Sequence, residues 1–431
     1  MKIQKLSQLD SQTKKRIMTR STESIDEVIP YVTSIINDVK NNGDNALQKY
    51  TKKFDGATIS KLRVSKNEIS NAYKVVSRDI VSALKQAKKN IESFQKSQLK
   101  SKIRSKVQTE KGIKVWQEWR AIERVGLYVP GGKAAYPSSV LMSAVPAKIA
   151  GCERIIMVTP TDKDGLVNPV ILVAANIAGI TEIYKVGGAQ AISAMAYGTE
   201  TIPKVFKIFG PGNRYVATAK QIVSKDVAID MPAGPSEVFI IADDSANPKY
   251  IAADLLADGE HGDDSACVMI TTSQKIAEIT MKEIEKQLYD LETKDRIQKS
   301  LNSYGLIAVA DSMEEAIEFA NDYAPEHMEL MTKNNDTVLK QITNVGSVFL
   351  GNWTSKSSGD YATGANHVLP TGGMAKMFSP LGVEAFGRWI EIQKCTKNGL
   401  AKIRKTIAQL SDAEGLPAHK VSTEIRFTQN Y

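Results

Sequence analysis

The sequence predicts an α/β protein built from parallel βαβ units, and three observations carry that prediction. From residue 121 onward, short apolar runs end in glycine or proline and are followed by helical stretches rich in small residues. Strands and helices of these lengths, alternating and apolar throughout, belong to parallel sheets covered on both faces. The texture gives way to a long helical stretch around 274–302 and then returns, which predicts two α/β modules, one nested within or beside the other. At 431 residues the chain also exceeds one core, since single cores stop growing at about 250–300 residues.

The first 120 residues read as helical. Ile25, Val28, Ile29, Val32, Ile35, Ile36 and Val39 fall on one helical face. Ser24 and Glu27 have the spacing of a capping box, and Pro30 must kink that helix or restart it. Asn42-Gly43 ends the segment, and Asp44 can cap a following helix through Ala46, Leu47 and Tyr50. A Lys-rich helix is predicted over about 66–98. The strand–helix pairs then begin. ERVGLYVPGG leads into SSVLMSAVPAKIAG, RIIMVTP into NPVILVAANIAG, EIYKVGG into AQAISAMAYG, and VFKIFGPGN into RYVATAKQIVS, before AIDMPAGPSEVFIIAD. The second module continues through YGLIAVADSMEEAIEFANDYAPEH and VGSVFLGNW. From about 382 a small helical C-terminal unit is predicted.

Composition narrows the function classes. With 42% hydrophobic and 24% charged residues the chain reads as soluble and globular. No apolar run approaches the roughly 18–20 residues that span a bilayer. The charged N-terminus lacks a signal-peptide core, so cytoplasmic residence is expected. Cys152, Cys267 and Cys395 form no CxxC pair, and the first two sit in apolar surroundings as small hydrophobes. The net charge of +8 is concentrated in the first 120 residues, the remainder being acidic. Those lysines are spread through helical patterns without stacking aromatics, which favours a solvated surface over a nucleic-acid site.

The chemistry-bearing residues lie further on. All four histidines, His261, His327, His367 and His419, stand in runs containing Asp, Glu or Asn. Imidazole suits metal binding and proton transfer near neutral pH. Glycine turns at Tyr128–Gly132, Val186–Gln190 and Phe209–Asn213 occupy predicted strand C-termini, the edge where open α/β sheets bind ligands. There glycine lets backbone approach a diphosphate, although tight turns alone explain each one, and no GxGxxG is present. Asp258 and His261, three apart on a predicted helix, share a face and suit two ligands of one metal; helix-end hydrogen bonding accounts for them equally well. Asp360 and His419 are candidates for the remaining ligands. Glu326 and His327, being adjacent, point apart and read as two proton handlers lining one pocket.

Over nearly its whole length the chain resembles the L-histidinol dehydrogenase family. The resemblance is carried by NNGDNALQKYTKKFDG, VGLYVPGG, KVGGAQAISAMAYGTE, KIFGPGN, AIDMPAGPSEV, EHG, APEHMEL, GSVFLGNW, SGDYATGANHVLPT and AEGLPAHK, in the family order. It implies oxidation of L-histidinol to L-histidine, the last step of histidine biosynthesis, using two NAD⁺ and one bound Zn²⁺ per subunit. It implies two incomplete Rossmann-like parallel-sheet domains, one of residues 25–125 with 238–380 and an NAD-binding one of 126–237. Small helical segments, 1–24 and 381–431, complete that architecture. By motif, Tyr128, Gln190 and Asn213 would contact NAD, and Glu326 and His327 would be the proton acceptors. Asp258, His261, Asp360 and His419 would hold the metal. Ser236, His327, His367 and Glu414, together with the metal ligands, would touch L-histidinol. Glu414 and His419 would come from the second subunit of a homodimer with shared active sites; no nucleic acid or membrane partner is implied.

Two positions depart from the family pattern. Asp258 stands where the family usually has Gln, so the site gains an anion that tilts it toward harder cations such as Mn²⁺. Ala266 replaces a frequent Gln. The Asp258 departure leaves open a related metal-dependent dehydrogenase acting on another small polyol or a sulfonate. A basic nucleic-acid-binding protein is the rival from another class, and it leaves the clustered histidines and carboxylates unexplained.

Overall fold

The computed structural model describes residues 2–20, 26–131, 135–231 and 234–428. Two compact units divide the chain, Met1–Gln98 with Ile122–Phe386, and Leu99–Ala121 with Gly387–Tyr431. In chain order the strands are β1 (Ile3–Lys5), β2 (Val107–Glu110), β3 (Ile113–Ala121), β4 (Arg124–Tyr128), β5 (Arg154–Thr159), β6 (Glu182–Lys185) and β7 (Lys207–Phe209). They continue with β8 (Ala228–Ile229), β9 (Glu237–Ala242), β10 (Ala266–Thr271), β11 (Leu306–Val309), β12 (His327–Met331), β13 (Ser347–Leu350) and β14 (Gly387–Cys395).

The first unit contains two parallel, Rossmann-like sheets. One has six strands in the order β1-β11-β10-β9-β12-β13, the other five in the order β6-β5-β4-β7-β8. In the larger sheet the period-2 alternation sends side chains into two separate cores. Phe239, Ile241, Val268 and Ile270 pack on one face, and Val238, Ile240, Cys267 and Met269 on the other. Each large apolar side chain so buried contributes about 1.5–3 kcal/mol, and both faces being dry is what makes these strands uniformly apolar. The smaller sheet is covered on one side by the helix Ile29–Asp55, whose Val32, Ile35, Ile36 and Val39 join the same core as Ile156, Val158 and Ile208.

Several local expectations need correction. The stretch Ile29–Asp55 is two helices parted at Gly43, where φ is 48°, as Asn42-Gly43 predicts, and only the expected cap differs. The cap at the break comes from Glu200, whose carboxylate accepts from the Asp44 N–H at 2.8 Å, while Thr201 hydrogen-bonds to the Asp44 carboxylate. Pro30 sits in the first turn of that helix, where its missing N–H costs nothing. Ser24, of the expected capping box, lies outside the described residues, as do Gly132 and the Pro232-Ala233 of PAGPSE. The Lys-rich helix is two helices, Lys66–Val75 and Arg78–Gln98, parted at an extended Val76. The first of them opens with a capping box of Ser65 and Glu68.

The larger correction concerns the second unit, which is described by itself. Residues 387–395 are not helical but form β14, antiparallel to β3, which in turn pairs with β2. Trp389 lies opposite Trp119 in this register, with ring centroids 5.4 Å apart edge to face. Such aromatic cross-strand pairs stabilise a sheet and override the helical signal of the segment that follows. That segment does fold as the helices Lys397–Ala413 and Pro417–Thr428.

The turn after β7 is fixed by close approach. Gly210 has φ 116°, and a Cβ there would run into the Tyr128 carbonyl oxygen. Its N–H donates to Asp230 at 2.7 Å and its carbonyl accepts from the buried Lys220 at 2.9 Å. Gly210→Ala is expected to lower stability by about 1–3 kcal/mol, read as an earlier urea midpoint with an unchanged m-value.

Candidate active site

Parallel topology brings the polar residues together at one end of the six-stranded sheet. β9 begins at Glu237, directly after Ser236, and β12 begins at His327, directly after Glu326. The two strands are neighbours, His327 lying opposite Val238. The helix Pro248–Gly259 runs back from the far end of β9, so its last turn returns Asp258 to the same edge. A left-handed Ala324, φ 51°, ends the helix Met313–Tyr323 and turns the chain into Pro325-Glu326.

The starts of β9 and β12 are locked by reciprocal bonds. The Glu237 N–H donates to Glu326 Oε2 at 2.9 Å, and the Glu326 N–H donates to Glu237 Oε2 at 3.3 Å. Glu237 Oε1 accepts from the Gly372 N–H at 2.6 Å and pairs with Arg20 Nε at 3.1 Å. Burial pushes the Glu237 carboxyl up to about 7, against the pull of Arg20 and with a further push from Glu326. His327 Nδ1 lies 3.0 Å from the Glu237 carbonyl and 3.4 Å from Glu326 Oε2. A carbonyl only accepts, so Nδ1 carries the proton and Nε2 presents a lone pair. That Nε2 has no hydrogen-bond partner and sits 3.8 Å from Asp360 Oδ1. Burial opposes the imidazolium, but the Glu326 carboxylate outweighs it, and the His327 pKa lies above the usual imidazole value.

Beside this pair is a second cluster. Asp258 and His261, expected on one helix, are divided by the helix end: Asp258 is in the last turn and His261 follows it. They still converge with Asp360, but on a lysine. Lys356 Nζ lies 2.9 Å from Asp258 Oδ1, 2.9 Å from Asp360 Oδ2 and 3.1 Å from His261 Nε2. Lys356 opens the short helix Lys356–Tyr361, and its own N–H donates to Glu329 Oε1 at 3.0 Å. Burial works against its charge, but Asp258 and then Asp360 hold the ammonium pKa above the ordinary lysine value. Burial likewise opposes the Asp360 charge, yet Lys356, His327 and His367 keep that carboxyl below the usual range. The neighbouring Asp254 is pushed by burial up to about 6, and Glu329 well above the carboxylate norm by burial and by Asp254. Among the described residues no group of three or more His, Cys, Asp or Glu side chains is arranged to hold a metal ion. The place where a cation would satisfy Asp258, His261 and Asp360 is filled by Nζ.

His367 adjoins both clusters. Its Nδ1 is 3.0 Å from the Asp360 carbonyl and its Nε2 3.2 Å from Ser139 Oγ. Burial lowers its pKa to about 4, so near neutral pH the ring is uncharged, Nδ1 donates, and Nε2 accepts from the serine hydroxyl. Glu414 and His419 belong to the second unit and are exposed there. Cys152 and Cys267 are buried as expected, and Cys395 is exposed.

The carboxyl edge of the five-stranded sheet carries Tyr128, Gln190 and Asn213. Tyr128 closes β4, and its hydroxyl accepts from the Gly188 N–H at 3.2 Å. Gly188 opens the helix Gly188–Tyr197. Gln190 follows in the first turn, with its side-chain oxygen buried and unpartnered. Asn213 caps the helix Arg214–Val223 by accepting from the Tyr215 and Val216 N–H groups. Two helix N-termini and an unsatisfied amide oxygen at a glycine-lined edge fit a dinucleotide.

Four residues of this region escaped sequence reasoning. Lys356 had a signal, since it stands one helical turn before Asp360. Glu237 directly follows Ser236 within a recognised motif. Arg20 and Ser139 had none, because only the tertiary fold brings them to the site.

Comparison with known proteins agrees with this geometry. The histidinol dehydrogenase family model matches residues 18–427. The histidinol dehydrogenase of Methanocaldococcus jannaschii is 48% identical over 419 residues, 97% of each chain. That of Listeria monocytogenes is 50% identical over 399 residues, 92% of each chain. The crystal structure of histidinol dehydrogenase from Elizabethkingia anophelis superposes with a TM-score of 0.94 at 44% identity, covering 99% of this chain and 97% of that one.

Glu237 generates a pH prediction. Its raised pKa means the folded state keeps a proton that the unfolded chain loses near the ordinary carboxyl value of 4.5. The associated stability is fully present below that value and is lost as pH rises through about 7. Denaturation midpoints measured across this window should fall more steeply for the wild type than for Glu237→Gln; parallel curves would refute the assignment.

Proposed function

The chain belongs to the histidinol dehydrogenase family, and from that membership we infer that the His327 cluster and the glycine-edged cleft carry out the family reaction. The protein is an NAD-dependent oxidoreductase that converts L-histidinol to L-histidine by way of bound L-histidinaldehyde. No described helix is long and apolar enough to cross a membrane. NAD⁺ supplies the hydride acceptor, used twice per substrate, and Tyr128, Gln190 and Asn213 would hold it.

The observation that carries the assignment of roles is His327 Nε2, buried and unpartnered, which holds a lone pair once the ring is neutral. It is placed to take the alcohol proton as hydride leaves the carbinol carbon. Glu326, 3.4 Å behind Nδ1, stabilises the imidazolium that forms. Water then adds to the aldehyde carbon, and loss of a second hydride and two protons from the hydrate leaves the carboxylate. Resemblance gives the activation of that water to Glu326, which would use its other oxygen. Ser236 directly precedes Glu237, and His367 hydrogen-bonds the Asp360 carbonyl; both would contact the substrate.

Glu414 would select the imidazole of L-histidinol. Exposed in the second unit, Glu414 and His419 suit delivery to another copy's site, so we read the functional form as a homodimer with shared active sites. The Zn²⁺ implied by resemblance would be held by Asp258, His261, Asp360 and His419. The first three do not fit a divalent ion while Lys356 Nζ lies among them.

Two NADH per L-histidinol consumed, with no free aldehyde, is the expected stoichiometry; one NADH with aldehyde release would overturn the assignment. The base must be deprotonated, so kcat/KM should rise with pH through an apparent pKa above 6.5. That limb should move to lower pH in Glu326→Gln. His327→Asn should lower kcat by about 10²–10⁴-fold with little change in KM.

A further inference from the structure

We propose that Lys356 stands in for the divalent metal of this site. Its ammonium is the resident cation between Asp258, His261 and Asp360, and the protein oxidises its substrate without a bound metal ion. The inference rests on the reading of those three residues as the substrate-holding side of the pocket.

The geometry is that of an ammonium set among anions. Lys356 Nζ lies 2.9 Å from Asp258 Oδ1 and 2.9 Å from Asp360 Oδ2 as ion pairs, and within hydrogen-bond distance of His261 Nε2 at 3.1 Å, while the Asp258 oxygens have no hydrogen-bond partner and depend on that charge alone. The acceptors come from separate places, the last turn of the helix Pro248–Gly259, the residue beyond its cap, and the helix Lys356–Tyr361. All three are the groups that resemblance would give to the metal. A Zn²⁺ would need the same atoms at about 2.0–2.2 Å. Donors already closed on Nζ cannot close on a second cation without expelling the first.

Expulsion is obstructed. Lys356 is 1% exposed, so leaving would carry a charged group through packed protein. Its backbone is pinned by the bond to Glu329. One turn on, Gly359 packs so tightly under Phe349 that a Cβ would come within 2.5 Å of the ring. Departure would also strand two carboxylates, Asp258 at 0% and Asp360 at 7% exposure, and uncompensated buried charge is strongly destabilising. Asp258 itself belongs to the same substitution of parts: where the family usually has a neutral Gln, this chain has an anion, and the lysine answers it.

The chemistry permits the exchange. Proton removal falls to His327, whose open Nε2 lies 3.8 Å from Asp360 Oδ1. A metal acting here as a template contributes position rather than an activated water. An ammonium that fixes Asp258, His261 and Asp360 preserves that frame.

The test is metal analysis of the purified full-length protein, expressed in zinc-supplemented medium, together with NADH formation from L-histidinol. Expected are a zinc and manganese content far below one ion per chain, and turnover indifferent to excess 1,10-phenanthroline or EDTA. Lys356→Gln should bind added Zn²⁺ on the order of a hundredfold more tightly than the wild type, since a unit positive charge about 3 Å from the donors is removed. A wild type that retains about one zinc per chain through dialysis overturns the proposal, as does chelator inhibition reversed by Zn²⁺. The wild-type measurements need no variant, so misfolding of Lys356→Gln leaves the proposal equally exposed. A metal-poor wild type that forms no NADH even with Zn²⁺ added would instead count against the histidinol reading.

Discussion

The Glu237 carboxylate holds the site's architecture together. Each of its oxygens is committed, one to Arg20 and the Gly372 N–H, the other to the Glu326 N–H. Its own N–H and carbonyl reach Glu326 and His327. One buried residue at the start of β9 thereby ties together Arg20, which caps the helix Ser11–Thr19, the loop near 372 and the start of β12. A parallel sheet dry on both faces leaves polar groups few places to go, and the strand ends are where they collect. His327 inherits both its tautomer and its orientation from this arrangement.

Electrostatics divides the surrounding acids into two classes. Burial pushes Asp254 and Glu329 toward their protonated forms. Asp258 and Asp360 face a buried ammonium instead. Favouring protonation in one pair and setting a cation against the other lessens the self-repulsion among these carboxylates. Asp360 joins this system to His327, with one oxygen on Lys356 and the other facing Nε2.

Much of this was legible in the chain. The strand–helix alternation after residue 121 announced the parallel sheets, because burial on both faces writes a continuous apolar run. The glycine turns marked the carboxyl edge bearing Tyr128, Gln190 and Asn213. Legibility failed where tertiary pairing overrode local signal. β14 sets Trp389, Ile390 and Ile392 among polar residues without a clean period of two, its partner β3 is far away in sequence and the next segment is strongly helical. Asp258 and His261 converge as their spacing suggested, although the helix stops between them. Lys356 was passed over because a lone lysine near a helix start is ordinarily solvent-facing, and only the fold shows that this one is not.

The pairing of β1 with β11, Ile3 opposite Ile307, has a bearing on how the protein is made. The ribosome releases the first strand of the larger sheet long before the neighbour it will lie against, and Arg20 emerges long before Glu237. Until most of the polypeptide has been synthesised, that amino-terminal stretch has no edge to join and its guanidinium no carboxylate to meet. Maturation of the candidate active site is thus a late event in biogenesis, coupled to near-completion of translation.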